Sequence, residues 1–236
     1  MFIKKIAGFI LVLFLLSSAV GFSQDTLTWT RGLRFGYDLS RVAQYYLQPD
    51  RKAMEFSFDT EYKEDKFFTI EAGVEQSQKN SDVISYKSNG YYGRVGFDYN
   101  FLGRDKLEKG HDIVFIGLRY GYFNLNQTLN KYMIPSYYPS DTAWGSYPSK
   151  NLSGHWIEAV FGLKVEIVKN LFMGASLRGK VLLYSTKADN YPYFMPGYGK
   201  RANGANFGIN YSIYYQIPIK KVKYKQAEPK KQPKKK

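Results

Sequence analysis

The chain has two histidines, and one of them, His155, stands two positions after Ser153. Residues two apart on an extended strand share a face. A serine nucleophile and a histidine base could therefore meet there, the pairing a surface enzyme acting on lipid would need. Spacing places no orienting acid beside them, and Ser-x-His is a pattern that chance produces often. The other histidine, His111, precedes Asp112 between two patterned segments, where a structural or solvated role is expected. There is no cysteine, hence no disulfide, no thiolate metal site and no lipid-accepting Cys. No metal-ligand set or cofactor motif is visible, so no cofactor and no catalytic residue is expected.

A larger set of reactive groups recurs at every second position. Asp38, Glu55, Asp59, Glu61, Glu71, Glu75, Asp98, Glu158 and Glu166 share their faces with Arg34, Arg94, Arg119, Lys164, Arg178 and Lys180. If those faces line one narrow space, the charges must pair and hydrogen-bond, because an unpaired buried charge is strongly destabilising. This leaves two readings: a polar plug that fills the space, which is the one expected, or a path for ions, protons or small solutes.

The elements that would hold these groups are strands. Eight segments alternate with a period of two, apolar against polar: Leu33 to about Leu47, Met54–Tyr62, Phe68–Glu75, Tyr91–Phe101, Ile113 to about Leu125, Trp156–Val168, Leu171–Tyr184 and Ala205–Ile219. The first blurs near Arg41, where a bulge is expected. Lys169-Asn170 reads as a two-residue hairpin turn, Asn tolerating positive φ. Connections after even-numbered segments are short; those after odd ones are mostly long, about 15 residues (76–90), 29 (126–154) and 19 (186–204).

This asymmetry predicts an all-β, eight-stranded antiparallel transmembrane barrel with short periplasmic turns and long extracellular loops. Alternation alone would equally suit a soluble lipocalin-type barrel with its apolar face inward. The glycines decide. Gly36, Gly73, Gly96, Gly117, Gly121, Gly162, Gly174 and Gly208 all lie on the charged face, and a small barrel's interior needs small residues beside large ones. The charged face is therefore expected inside. Tyr62, Tyr99, Phe101 and Tyr215 gather at one end of the apolar faces and Tyr91 and Tyr122 at the other, as in aromatic girdles.

Residues 1–23 read as a secretory signal, with Lys4 and Lys5, an apolar run from Ile6 to Leu16, and cleavage expected before Gln24. Residues 24–219 form the barrel and 220–236 a disordered periplasmic tail. The net charge of +14 is mostly that tail, whose nine lysines and one glutamate carry +8. An exported tail meets no nucleic acid; its expected ligands are anionic lipid head groups, cell-wall acids or an acidic partner. Rigid aromatics crowd two outer loops: Tyr132, Tyr137, Tyr138, Trp144 and Tyr147 in one, Tyr191, Tyr193 and Phe194 in the other. Such density marks partner-binding loops, or rings packed on one another.

The last segment resembles the closing strand of bacterial outer-membrane barrels, although a tail succeeds it. Phe22-Ser23-Gln24, the Tyr-rich strands and the Lys/Pro end together resemble the DUF6048 type of small outer-membrane barrel from Bacteroidetes. That resemblance implies location in the outer membrane. It also implies a non-enzymatic accessory or structural subunit beside other outer-membrane proteins or lipoproteins, in machinery such as that which assembles barrels. Asp141-Thr142-Ala143 resembles the short O-glycosylation pattern of exported Bacteroidetes proteins, which would modify Thr142.

Overall fold

A computed structural model of the chain describes residues 28–102, 111–134, 143–186, 194–200 and 205–223. The elements are β1 (Thr28–Asp38), α1 (Leu39–Leu47), β2 (Arg51–Lys63), β3 (Lys66–Asn80), β4 (Ile84–Asn100), β5 (Ile113–Ile134), β6 (Ala143–Val168), β7 (Leu171–Ser185), the short pair β8 (Phe194–Met195) and β9 (Gly199–Lys200), and β10 (Ala205–Lys223). Eight strands close into a ring in the order β1-β10-β7-β6-β5-β4-β3-β2. The ring is joined, as expected, by the first strand against the last, with Phe35 opposite Tyr215. The signal segment, the tail beyond Lys223, and Tyr137, Tyr138, Thr142, Tyr191 and Tyr193 lie outside the described residues.

The pleat sends the charged face inward. Arg94 and Glu158 are only 2% and 0% exposed, whereas Leu118 and Phe207 are 63% and 85% exposed. Exposed aliphatic and aromatic residues on every strand, around a charged interior, are the mark of an outer-membrane-type barrel and the reverse of a lipocalin. Among the described residues no helix is long and apolar enough to cross a membrane. The turn at Lys169-Asn170 is as expected, with Asn170 at φ 66°, and Asp65 at φ 56° plays the same part between β2 and β3.

Three boundaries differ from the sequence reading. The first strand begins at Thr28 and ends at Asp38, and the chain then turns into a helix where a bulge was expected. Asp38 stops the strand by capping: its Oδ1 accepts from the Ser40 N–H at 2.9 Å and from the Ser40 hydroxyl at 2.6 Å. Pro49 succeeds the helix, as helix ends favour. Two of the three long loops, 76–90 and 126–154, are largely ladder among the described residues. β3 and β4 pair up to Asn80 opposite Ser85, and β5 and β6 up to Ile134 opposite Ala143. Finally, residues 220–223 belong to β10, with Lys220 opposite Arg31 and Lys221 opposite Thr30. The register slips by one between them and Gly32, which faces Pro218; proline has no N–H to give the ladder, which suits a break there.

One seam is thinner than the rest. β1 pairs with β10 along its whole length, but with β2 only from Leu33 opposite Thr60 to Tyr37 opposite Phe56.

Candidate functional site

The barrel interior is the obvious place for chemistry, and it is filled in three tiers. At the turn end, Trp29, Phe67, Ile113, Phe115 and Val160 form an apolar floor. Polar groups tie its edge. The Trp29 indole donates to Glu61 at 2.7 Å, and Arg31 pairs with Glu61 at 3.2 Å. His111 reaches across: its Nε2 accepts from the Thr30 N–H at 3.1 Å, which leaves Nδ1 as the protonated nitrogen facing Glu166 at 2.7 Å. The structural role expected of His111 is what it has.

The middle tier is charge. Arg34 and Lys164 clamp Asp59, each at 2.6 Å. Arg178 grips Glu71 through two nitrogens at 2.7 and 2.9 Å and reaches Glu158 at 3.1 Å. Arg94 touches three carboxylates: Glu55, Glu71 at 2.7 Å and Glu158 at 3.2 Å. Arg119 pairs with Asp98 at 2.7 Å, and Thr69 donates to the same carboxylate at 3.1 Å. Arg34, Asp38, Glu71, Arg94, Asp98, Arg119, Glu158, Lys164 and Arg178 are all buried, as their alternation required.

The outer tier is apolar again: Tyr92, Phe123, Leu125, Leu152, Trp156, Met195 and Tyr198. It is stitched to the charges by the Tyr92 hydroxyl on Glu55 at 2.5 Å and the Trp156 indole on Glu158 at 2.8 Å. Met195 and Tyr198 come from the connection between β7 and β10, which folds into the mouth. There Lys180 donates to the Gly197 carbonyl at 2.6 Å, and the Gly197 N–H donates to Glu75 at 3.2 Å.

Two features escaped the sequence reading. The nine interior carboxylates outnumber the six interior cations by three, and arginines at the rims balance them: Arg31 on Glu61, Arg41 on Glu55 at 2.7 Å, and Arg51 on Glu75. Arg51 lies four residues before Glu55, on the same strand face, so its parity was a usable signal. Arg41 sits on the helix, where strand parity does not apply. Five large interior rings also lie directly opposite a glycine on the next strand: Tyr92 opposite Gly73, Trp156 opposite Gly121, Phe123 opposite Gly154, Phe115 opposite Gly162 and Tyr214 opposite Gly36. A methyl group on Gly162 would come within 2.7 Å of the Phe115 ring, far inside van der Waals contact.

Outside the lumen, Ser153 and His155 do not form a pair. The Ser153 hydroxyl is bonded to that of Thr186 at 3.2 Å, and His155 lies between the rings of Tyr120 and Tyr184, at 5.7 and 5.6 Å. The aromatic loop residues divide. Tyr132 and Tyr147 stack at 5.4 Å, half-buried, while Trp144 is 47% exposed beneath the Lys131 ammonium at 3.8 Å. Phe194 carries the Arg51 guanidinium 4.2 Å over its ring. Trp144 on the projecting β5–β6 hairpin is thus turned to solvent, while the β8–β9 segment packs down on the mouth.

Comparison with known proteins assigns the chain to a family. Residues 2–222 match the family model described as "Domain of unknown function (DUF6048)", so the chain belongs to that family. No curated protein matches it. Among solved structures, Ail, the attachment invasion locus protein of Yersinia pestis, is similar at TM-score 0.39 and 10% identity, over 79% of this chain and 96% of that one. The N-terminal beta-barrel domain of Pseudomonas aeruginosa OprF gives 0.38 and 14%, over 82% and 100%. Neisserial surface protein A (NspA) gives 0.35 and 6%, over 83% and 100%.

Proposed function

We propose that this DUF6048 protein is a non-enzymatic, non-conducting barrel that works as an accessory or structural subunit of an outer-membrane protein complex. The observation that carries the reading is the lumen: two apolar tiers and a charge-neutral middle leave its side chains paired with one another. A path for ions needs groups that can exchange partners with the ion. Here Arg94 and Arg178 are each held by more than one carboxylate. Work is then left to the outside, where the β5–β6 hairpin carries Trp144 and Lys131 well beyond the apolar belt. The family resemblance directs such a subunit toward machinery that assembles other barrels.

The test has two arms. Planar-bilayer recordings of the purified protein are expected to show no steady conductance; a stable ohmic channel would overturn the plug. Isolation of the tagged protein from membranes in mild detergent is expected to bring down a defined outer-membrane partner, and replacement of residues 131–147 by a short turn is expected to release it. Retention of the partner by the shortened hairpin would move the contact elsewhere. Loss of function in Ser153→Ala/His155→Ala alone would favour a lipid-modifying enzyme.

A further inference from the structure

The outward face of β2, β3 and β4 changes character within one rung of the ladder. Met54, Val74 and Tyr91 form a row across the three strands, each directly opposite the next, and all three are exposed at 48%, 53% and 57%. They belong to the belt against lipid. The next outward row is Lys52, Gln76 and Asn89, again directly opposite one another, and beyond it Gln78 faces Lys87. The step from three apolar side chains to cations and amides marks the level at which acyl chains give way to head groups.

The surface above that step is hollow. A cavity of about 420 Å³ opens there, lined by Asp50, Lys52, Gln76, Gln78, Lys87 and Asn89 among others. Its floor is held by the Gln78 N–H on the Asp50 carbonyl at 2.8 Å. Lys52 lies 5.4 Å from the ring centroid of Tyr45, on helix α1, so its ammonium is positioned from a second element. The two lysines supply positive charge on either side of the hollow, against one carboxylate, that of Asp50. The amides offer paired donors and acceptors, which is the chemistry of hydroxyl recognition. A soluble sugar would have no use for the apolar row beneath. A simple anionic phospholipid would have none for the amides.

We infer that this hollow seats the head group of a phosphorylated glycolipid of the outer leaflet, with its acyl chains against Met54, Val74 and Tyr91. Phosphate falls to Lys52 and Lys87, and sugar hydroxyls to Gln76, Gln78 and Asn89. This rests on the reading of the chain as an outer-membrane barrel whose turns face the periplasm. The site lies on the wall and makes no demand on the lumen.

The full chain is reconstituted in phosphatidylcholine nanodiscs, and binding is tracked by native mass spectrometry as lipid A, an acylated and bis-phosphorylated glucosamine disaccharide, is added. Lipid A is expected to be retained over phosphatidylglycerol, and its dephosphorylated form to bind about thirtyfold more weakly, as is the Lys52→Gln/Lys87→Gln variant. Gln76→Leu/Asn89→Leu is expected to bring lipid A down toward phosphatidylglycerol. Lys63→Gln/Lys169→Gln, at the turn end, is expected to change nothing. Equal retention of phosphatidylglycerol and lipid A, or wild-type binding by the double lysine variant, would overturn the site. Capture of soluble glucosamine 1-phosphate as firmly as lipid A would overturn the lipid as occupant. A protein that does not enter the discs at all would sink the barrel reading itself and is seen separately, as loss of heat-modifiable gel mobility.

Discussion

The same strands behave differently in their lower and upper parts. Through the belt, each strand has one face against lipid and one against the charged lumen, and every side chain is assigned by the pleat. Above the belt, β3 to β6 continue as ladder, but Gln76, Gln78, Asn80, Lys87 and Asn89 are exposed where Val74 and Tyr91 gave way. Below that level the contrast between two surroundings holds the register. Above it the inward face still buries Ser77, Tyr86, Ser88 and Leu129, but the outward face meets water, so the contrast that holds the register is weaker. Stability should therefore reside in the lower part, and substitutions of similar size should separate the two.

The sharpest separation is expected from Arg94→Met, which leaves Glu55, Glu71 and Glu158 without their shared cation. Removing one partner from such a buried network destabilises by about 3–5 kcal/mol, read from the guanidinium unfolding midpoint in micelles or vesicles. Lys87→Met in the upper sheet should stay within about 0.5 kcal/mol of the parent. Equal effects would erase the distinction. Next is Leu118→Arg, which sets a charge on the lipid-facing belt and should destabilise by about 2–4 kcal/mol near the midplane. A neutral outcome in vesicles would show that this face does not meet lipid.

Gly121→Val should be milder, about 1–3 kcal/mol, because it overpacks the interior against the Trp156 ring. Pairing it with Trp156→Ala should recover part of the loss, which a double-mutant cycle would measure. The smallest effect belongs to the upper hairpin: Lys131→Ala removes the cation over Trp144 and should shift global stability by no more than about 0.5–1 kcal/mol. It should instead loosen the hairpin tip, visible as faster limited proteolysis near residue 144.

The same contrast explains what could be read from sequence. Arg34, Glu71, Arg119 and Lys164 could be placed inside by parity alone, since an apolar neighbour stood on either side of each. The run Gln76-Ser77-Gln78-Lys79-Asn80 is polar on both faces, so its strand carries no periodic signal and reads as loop. Phe123 and Trp156 were hidden for the opposite reason: an apolar residue at an inward position looks like a lapse in the pattern until a facing glycine, Gly154 or Gly121, is recognised as its complement. The helix after Asp38 rests on a cap and not on periodicity, and nine residues are too few to show a period against a strand already under way. For the candidate site, the interior charges were legible and their balance only in part: Arg51 shares the parity of Glu55, whereas Arg41 enters from the helix, where strand parity says nothing.

A ring held by hydrogen bonds parts where its join is shortest. The overlap of β1 with β2, from Leu33 opposite Thr60 to Tyr37 opposite Phe56, is that place. Below it the edge of β1 is tied by side chains alone, His111 to the Thr30 N–H and Gln216 to the Thr30 carbonyl at 2.8 Å; above it the chain has already left the wall as α1. Amide protons on this seam should thus be among the first in the wall to exchange with solvent, since local opening there breaks the fewest bonds. The wall is a hoop with one clasp, and the clasp lies beside the helix.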